Sequence, residues 1–362
     1  MQCMSDQFFD LIRLALNKGD SLQRCPTDEE WAAMLELSQN QAILGVIFHA
    51  FDKLTQNNQK PPLEVLFEWI GCTEQIMAQN KIANKRCIEV SRLFEKAGFK
   101  TCVLKGQGNA LLYPEPLLRN SGDIDLWVNG ETDAVIGFVK ERYPNVSSKI
   151  SSHHIDFPVF QEISVEVHYV PTYSLVRKFQ SNLNQYIEDC KPRQFDNPVR
   201  LIGVDNTINV PTDDFNMVFQ LSHMQRHFFG TGIGFRHIID YYYLLKRVNT
   251  YVTISQKREL KEVLVALGML KFASAVMWVL KEVLLMEENW MICEPDEKRG
   301  KLLLDEIMRT GNFGYGDQRK IKKLSNFSTT LAVMVRNMKM VRLFPGEALC
   351  APITGVSRRF FH

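Results

Sequence analysis

The sequence predicts an α+β protein in which a small mixed β-sheet lies between two helical regions. Three observations carry this. Up to about residue 97, apolar residues recur too densely for strand alternation and fit helical spacing. Over 98–211 the texture changes to short β-prone runs punctuated by Gly and Pro. From 212 to 362 helical patterns return. The predicted domains are therefore 1–97, 98–211 and 212–362.

The first helix is read over 7–16. Thr27 can cap the second, and Glu30, three residues on, completes a capping-box pattern. Pro61-Pro62 interrupts the chain, and a long helix is expected over 63–96, stopped by Gly98. A strand follows at 100–104, then a turn or two of helix over 108–113, halted by Pro114 and Pro116. The next strand carries Asp123 and Asp125. An amphipathic helix is expected over 132–142 and a hairpin over 155–160 and 163–169. Pro192, Pro198 and Pro211 suggest a loop-rich close to this middle region. Helices are then expected over 213–229, 235–247, 255–267 and 271–286, followed by an acidic helical stretch over 282–297.

Composition excludes several classes. With 45% hydrophobic residues, 23% charged and a net charge of +2, the chain reads as an ordinary globular protein, and bulk charge asks for neither nucleic acid nor an acidic partner. The N-terminus lacks a basic segment followed by an apolar one, so a cytoplasmic location is expected. The eight cysteines form no Cys-x-x-Cys and read as free thiols rather than a structural zinc site. The apolar run 263–280 is long enough to span a bilayer, but a central Lys271 costs about 2.5–3.5 kcal/mol there, so a buried helix is expected. Residues 318–362 hold nine basic residues against Glu347 alone, a net of +8. Phe327, Phe344, Phe360 and Phe361 are spaced more like helix packing than a base-stacking platform. The tail therefore reads as a solvated or membrane-surface segment, or a cover over the acidic stretch.

The chemistry concentrates at Asp123-Ile124-Asp125-Leu126-Trp127-Val128. On a strand, alternate side chains share a face, so Asp123 and Asp125 project one way while Ile124, Leu126 and Val128 project the other. Two adjacent carboxylates repel unless a cation lies between them, which makes this a candidate Mg²⁺ or Mn²⁺ site. Phosphoryl and nucleotidyl transfer need such cations and a third acid. Glu166, within Val165-Glu166-Val167-His168, is the best candidate and Asp156 the weaker one. Lys105-Gly106 follows a strand and precedes a helical turn, where a Gly lets backbone approach phosphate. Lys105 and Arg119 can then neutralise phosphate charge.

Lys-Gly after a strand, a downstream Pro-x-Pro-x-x-Arg, Asp-Ile-Asp-Leu and Val-Glu-Val-His together resemble the nucleotidyltransferase superfamily with a polymerase-β-type palm. Within it the chain most resembles a bacterial group of uncharacterised nucleotidyltransferases. The likeness runs over about 30–290, with its specific motifs in 104–128, 164–168 and 223–240. The resemblance implies a palm-type sheet, with Asp123, Asp125 and Glu166 as catalytic metal ligands. It also implies nucleotide binding by Lys105, Gly106, Arg119 and Ser121, and an NTP substrate. Superfamily members usually carry Gly-Ser where this chain has Lys105-Gly106.

Other positions keep two readings. His168 shares a face with Glu166 and either assists proton transfer or is a hydrogen-bonded core histidine. His223 and His227, one helical turn apart, and Arg236 either reach the nucleotide or acceptor or pack helices, with Asp240 satisfying the histidines. His153 and His154 are adjacent and so expected to face opposite ways, which disfavours joint metal ligation. Three functions follow in order: metal-dependent transfer of NMP from an NTP to a hydroxyl of a small molecule, protein or RNA end; nucleotide or RNA binding without turnover; and, least favoured, a sugar-nucleotide glycosyltransferase.

Overall fold

A computed structural model describes residues 2–144, 150–317 and 326–360. It is an α+β fold. The N-terminal helices are α1 (Gln2–Ala15), α2 (Asp28–Asn40), α3 (Leu44–Phe48), α4 (Phe51–Gln56) and α5 (Leu63–Glu95). The capping box at α2 forms as the sequence predicts: Thr27 accepts from the backbone of Glu30 while the Glu30 carboxylate accepts from the backbone of Thr27. Gly98, at φ +88°, ends the turn after α5, a conformation that costs other residues more.

Strands β1 (Lys100–Leu104), β2 (Ile124–Asn129), β3 (His154–Asp156) and β4 (Val165–His168) form one mixed sheet in the order β1-β2-β4-β3. The β2–β4 pair is parallel and the other two pairs are antiparallel. The crossover from β2 contains α7 (Thr132–Arg142). A short helix, α6 (Gly106–Ala110), follows β1. A sheet this small, preceded by a helical region, is not a doubly wound nucleotide domain, and the fold gives the glycosyltransferase reading no support.

The two faces of the sheet serve different cores. Ile124, Leu126, Val128, Val165 and Val167 pack against Ala83, Cys87, Val90 and Phe94 of α5 and Val135, Phe138 and Val139 of α7. The opposite face carries Asp125 and Trp127. Trp127 stacks on Phe215 at 5.7 Å between ring centres and lies 4.8 Å from Phe195. That second core is continuous with the N-terminal helices and with α9 (Asp213–Phe229), α10 (Phe235–Val248), α12 (Leu270–Glu282) and α13 (Glu297–Thr310). α9 is buried along almost its whole length and lies next to the polar face of the sheet.

Three expectations are corrected. The stretch read as loop-rich contains a 15-residue helix, α8 (Gln180–Gln194), and a hairpin of β5 (Pro198–Arg200) and β6 (Thr207–Asn209). Pro192 lies in the last turn of α8, where its missing N–H costs one hydrogen bond rather than the helix. The acidic stretch 282–297 is not a helix: α12 ends at Glu282 and α13 begins at Glu297, with a 3-10 turn at Glu288–Trp290 between them. The apolar run 263–280 is broken between α11 (Ile254–Ala266) and α12 by Gly268 at φ +71°. Among the described residues no helix is long and apolar enough to cross a membrane. Of the basic tail, α14 (Asn326–Met338) and α15 (Pro345–Phe360) are helical, while 318–325 and 361–362 lie outside the described residues.

Candidate active site

The site is built on the register of the sheet. Asp125 of β2 is the partner of Glu166 of β4, and Glu166 is the partner of Asp156 of β3. Two residues along, Trp127, His168 and His154 form the next row on the same face. Because alternate residues share a face, a row of three acids and two imidazoles lies on the side of the sheet away from the apolar core. Asp123 stands one residue before β2, exposed at the mouth of the cleft.

Asp125 is the electrostatic centre. Its Oδ2 lies 2.9 Å from Lys105 Nζ and its Oδ1 2.9 Å from His168 Nε2. Burial alone would raise its pKa, but Lys105 foremost and then His168 outweigh it and hold the carboxyl below the usual range. Asp123 is shifted the other way, up to about 6, chiefly by the neighbouring charge of Asp125. Glu166 Oε2 is 3.5 Å from His168 Nε2 and 3.7 Å from His154 Nδ1. Burial would raise Glu166, and hydrogen bonding to His168 leads the effects that lower it. His168 is fully buried, yet contact with Asp125 and Glu166 raises its pKa over the opposing effect of burial.

Lys105 occupies φ +51°, ψ −143°, a region that costs a non-glycine residue about 1–3 kcal/mol. Its Nζ bridges Asp125 and His223 Nε2, the latter at 2.9 Å. Gly106 continues the turn at φ +44° and faces the cleft. The opposite wall comes from α9 and α10. Burial drives the pKa values of His223, His227 and His237 well down, so these rings are neutral. His227 Nδ1 lies 3.0 Å from Thr231 Oγ1. Arg236 donates to the Asn120 carbonyl at 3.2 Å and lies over the Phe313 ring, and its buried Nε has no partner. Arg226 is similar: Nη1 reaches Thr172 Oγ1 at 3.3 Å, the guanidinium lies over Tyr173, and Nε is unpartnered. The outer part of the cleft encloses about 350 Å³ and is lined by both aspartates, Glu166, His168, His223 and Arg226 among others.

Four expectations change here. Arg119 is not free to meet phosphate: Nε and Nη2 both donate to the Asp240 carboxylate at 2.7 Å, deep in the protein. Tyr113 Oη donates to the same carboxylate at 2.6 Å and Asn109 at 3.4 Å. Asp240 is thus taken by Arg119 and Tyr113, not by His223 and His227. His153 and His154 were expected to diverge, yet His153 Nε2 lies 3.1 Å from His154 Nδ1. His153 precedes β3 in a bend, so strand alternation does not govern it. Ser121 is half-buried between Arg119 and β2 and does not line the cleft. Phe313 and Thr231 line it without any sequence signal that marks them.

The model of the uncharacterised nucleotidyltransferase family matches residues 27–284, which takes in α2–α5, the sheet and α9–α12. The chain belongs to that family. The four-stranded sheet and both aspartates lie within the matched residues. A solved structure of an antigenic nucleotidyltransferase-like protein from Paracoccidioides brasiliensis is similar at 12% identity and a TM-score of 0.30, over 59% of this chain and 94% of that one. No curated protein matches the chain.

The donors present suit a hard divalent cation. Asp125, Glu166 and His168 bring one ligand atom each within 4.8 Å of the others. Asp123 adds a carboxylate whose pKa is raised chiefly by the charge of Asp125 and then by burial, over the opposing charge of Lys105.

Proposed function

We propose that this nucleotidyltransferase-family chain moves a nucleoside monophosphate from an NTP to a hydroxyl acceptor, with Mg²⁺ or Mn²⁺. The observation that carries the reading is the pairing of Asp125 with Glu166 on adjacent parallel strands, opposite Arg226 and Arg236, whose buried Nε atoms are unpartnered. Carboxylates on one wall and cations on the other are what a metal–triphosphate complex requires.

Asp123, Asp125 and Glu166 would hold a divalent cation, which would supply charge neutralisation at the α-phosphate. Lys105 and the backbone at Gly106 steer the phosphates, and Arg236 and Arg226 neutralise the leaving pyrophosphate. The acceptor oxygen forms a bond to the α-phosphorus as the bond to the β-phosphate oxygen breaks. Glu166 takes the acceptor proton, with His168 beside it to share that charge. Neutral His223 and His227 line the cleft without adding to its positive charge.

Two contacts favour a second reading. Lys105 and His168 already neutralise Asp125, so the chain can keep its fold and hold nucleotide without turnover. Thermal unfolding with ATP, GTP, CTP and UTP, with and without Mg²⁺ or Mn²⁺, separates the two. A ligand that binds only the native state raises its stability by RT ln(1 + [L]/Kd). Transfer predicts a metal-dependent shift with at least one NTP, absent in Asp123→Asn/Asp125→Asn, together with pyrophosphate release on adding acceptor. A shift that ignores metal and survives the double substitution supports binding without turnover.

A further inference from the structure

We infer that His153, His154 and His168 form a second, nitrogen-rich site for a transition-metal ion of the Zn²⁺ or Co²⁺ type, adjoining the carboxylate site for the metal–nucleotide, with His168 common to the two donor sets. One ring nitrogen from each lies within 4.8 Å of the others. His153 and His168 are buried, and His154 is partly so. Three converging imidazoles in a low-dielectric wall have little reason to assemble for packing alone.

The hydrogen bonds around these rings fit a metal. His168 Nε2 lies 2.9 Å from Asp125 Oδ1, while its buried Nδ1 has no partner. A carboxylate holding one ring nitrogen and leaving the other to a cation is the usual outer support of a metal-bound histidine. His153 is held likewise: Ser151 Oγ lies 3.1 Å from its Nδ1, which turns Nε2 toward His154. Zn–N bonds of about 2.0–2.1 Å would draw the three rings slightly inward. Imidazole donors favour Zn²⁺ and its neighbours, whereas Mg²⁺ prefers oxygen. All three histidines border the 350 Å³ cleft, which has room for a fourth ligand to a tetrahedral ion. A water or an anionic oxygen of a ligand would complete the coordination.

The test uses the full chain, stripped of metal by chelation and titrated with Co²⁺, whose visible absorption reports coordination directly. Stoichiometric Co²⁺ should give the intense bands of a four-coordinate, nitrogen-bound ion. Zn²⁺ should displace it and excess Mg²⁺ should not. His153→Ala and His154→Ala, each checked for folding by circular dichroism, should weaken Co²⁺ by on the order of 100-fold or more, since outer-sphere changes alone cost about 10–100-fold. Ser151→Ala keeps all three rings and should cost about 10-fold, so the inference stays testable if an alanine variant misfolds. Asp123→Asn should bind Co²⁺ as the wild type does. Wild-type binding in the folded histidine variants, displacement by Mg²⁺, or loss of binding in Asp123→Asn would each overturn the inference. The first outcome would leave His153 and His154 a hydrogen-bonded pair. The readout needs no nucleotide, so failure of the transfer reading leaves this result standing, and the reverse.

Discussion

Two carboxylates lie buried near each other in this molecule and behave differently. Asp240 receives both arms of Arg119 and the hydroxyl of Tyr113, so its charge is fully answered. Asp125 also has two positively polarised partners, Lys105 and His168, but it shares His168 with Glu166 and the charge of Lys105 with Asp123. At the first centre charge and counter-charge match. At the second, negative charge exceeds its partners, and the excess appears as a proton held on Asp123 up to about pH 6. A matched pair clasps the fold; a mismatched cluster waits for a cation.

The clasp gives the largest expected change in stability. Arg119→Met leaves Asp240 buried and uncompensated, which should cost about 3–5 kcal/mol by denaturant unfolding. Arg119→Met/Asp240→Leu removes both charges and should recover most of that loss. If the double variant is as unstable as the single one, the pair does more than balance charge.

Asp125→Asn should act on chemistry first. Loss of the central carboxylate should slow transfer by at least about 10²–10³-fold, the scale for removing one key electrostatic group. Its stability cost should be smaller than that of Arg119→Met, because repulsion with Asp123 and Glu166 is relieved as the contact with Lys105 is lost. Equal destabilisation in the two variants would make the cluster a second clasp and favour the reading without turnover.

How much of this contrast the sequence discloses follows from distance along the chain. Asp125 and Glu166 are legible because strand alternation is a local rule and both lie within strands, whereas Asp123 stands one residue before β2 and alternation does not govern it. The clasp is not: Arg119 and Asp240 are 121 residues apart, and no local pattern says that α10 returns to the turn before β2. The convergence of His153 with His154 was hidden because one bend before β3 cancels the alternation assumed for both. α8 was obscured by Pro192, although Leu183, Ile187, Cys190 and Gln194, all buried, fall at helical spacing. That spacing is the signal to weigh above a proline in a last turn.

Lys105 sharpens the comparison on a smaller scale. Its ammonium links the cluster to α9, and its backbone is held where glycine is favoured. Lys105→Ala and Lys105→Gly lose the same Nζ contacts, but only glycine relieves the backbone. The glycine variant should therefore be the more stable by about 1–2 kcal/mol in urea unfolding. Both should weaken metal–NTP binding alike. Equal stability would mean that the surrounding turn relaxes on losing the ammonium.

The smallest expected effect is in the pH dependence, where the two centres have opposite signs. Asp240 is held below its ordinary pKa of 3.8, because Arg119 leads the interactions that overcome burial. Its stabilisation is present at neutral pH and is lost as pH falls through that lowered value. Asp123 is raised from 3.8 to about 6, so between those values the unfolded chain releases this proton before the folded chain does. Its contribution to stability therefore declines as pH rises through that window and is level above it. Because Asp123 faces solvent, screening keeps the amplitude low, and the comparison is best made at low salt. Asp123→Asn should remove the decline. Asp125→Asn should remove most of it too, since Asp125 is the principal cause of the shift. Saturating Mg²⁺ should reverse the decline, because a bound cation favours the ionised carboxylate, and Mg²⁺ affinity should rise with pH over the same interval. Urea unfolding at intervals from pH 4 to pH 7, with and without Mg²⁺, measures all three. A decline that persists in Asp123→Asn would assign the proton to another group and remove the sign of excess negative charge on which the comparison rests.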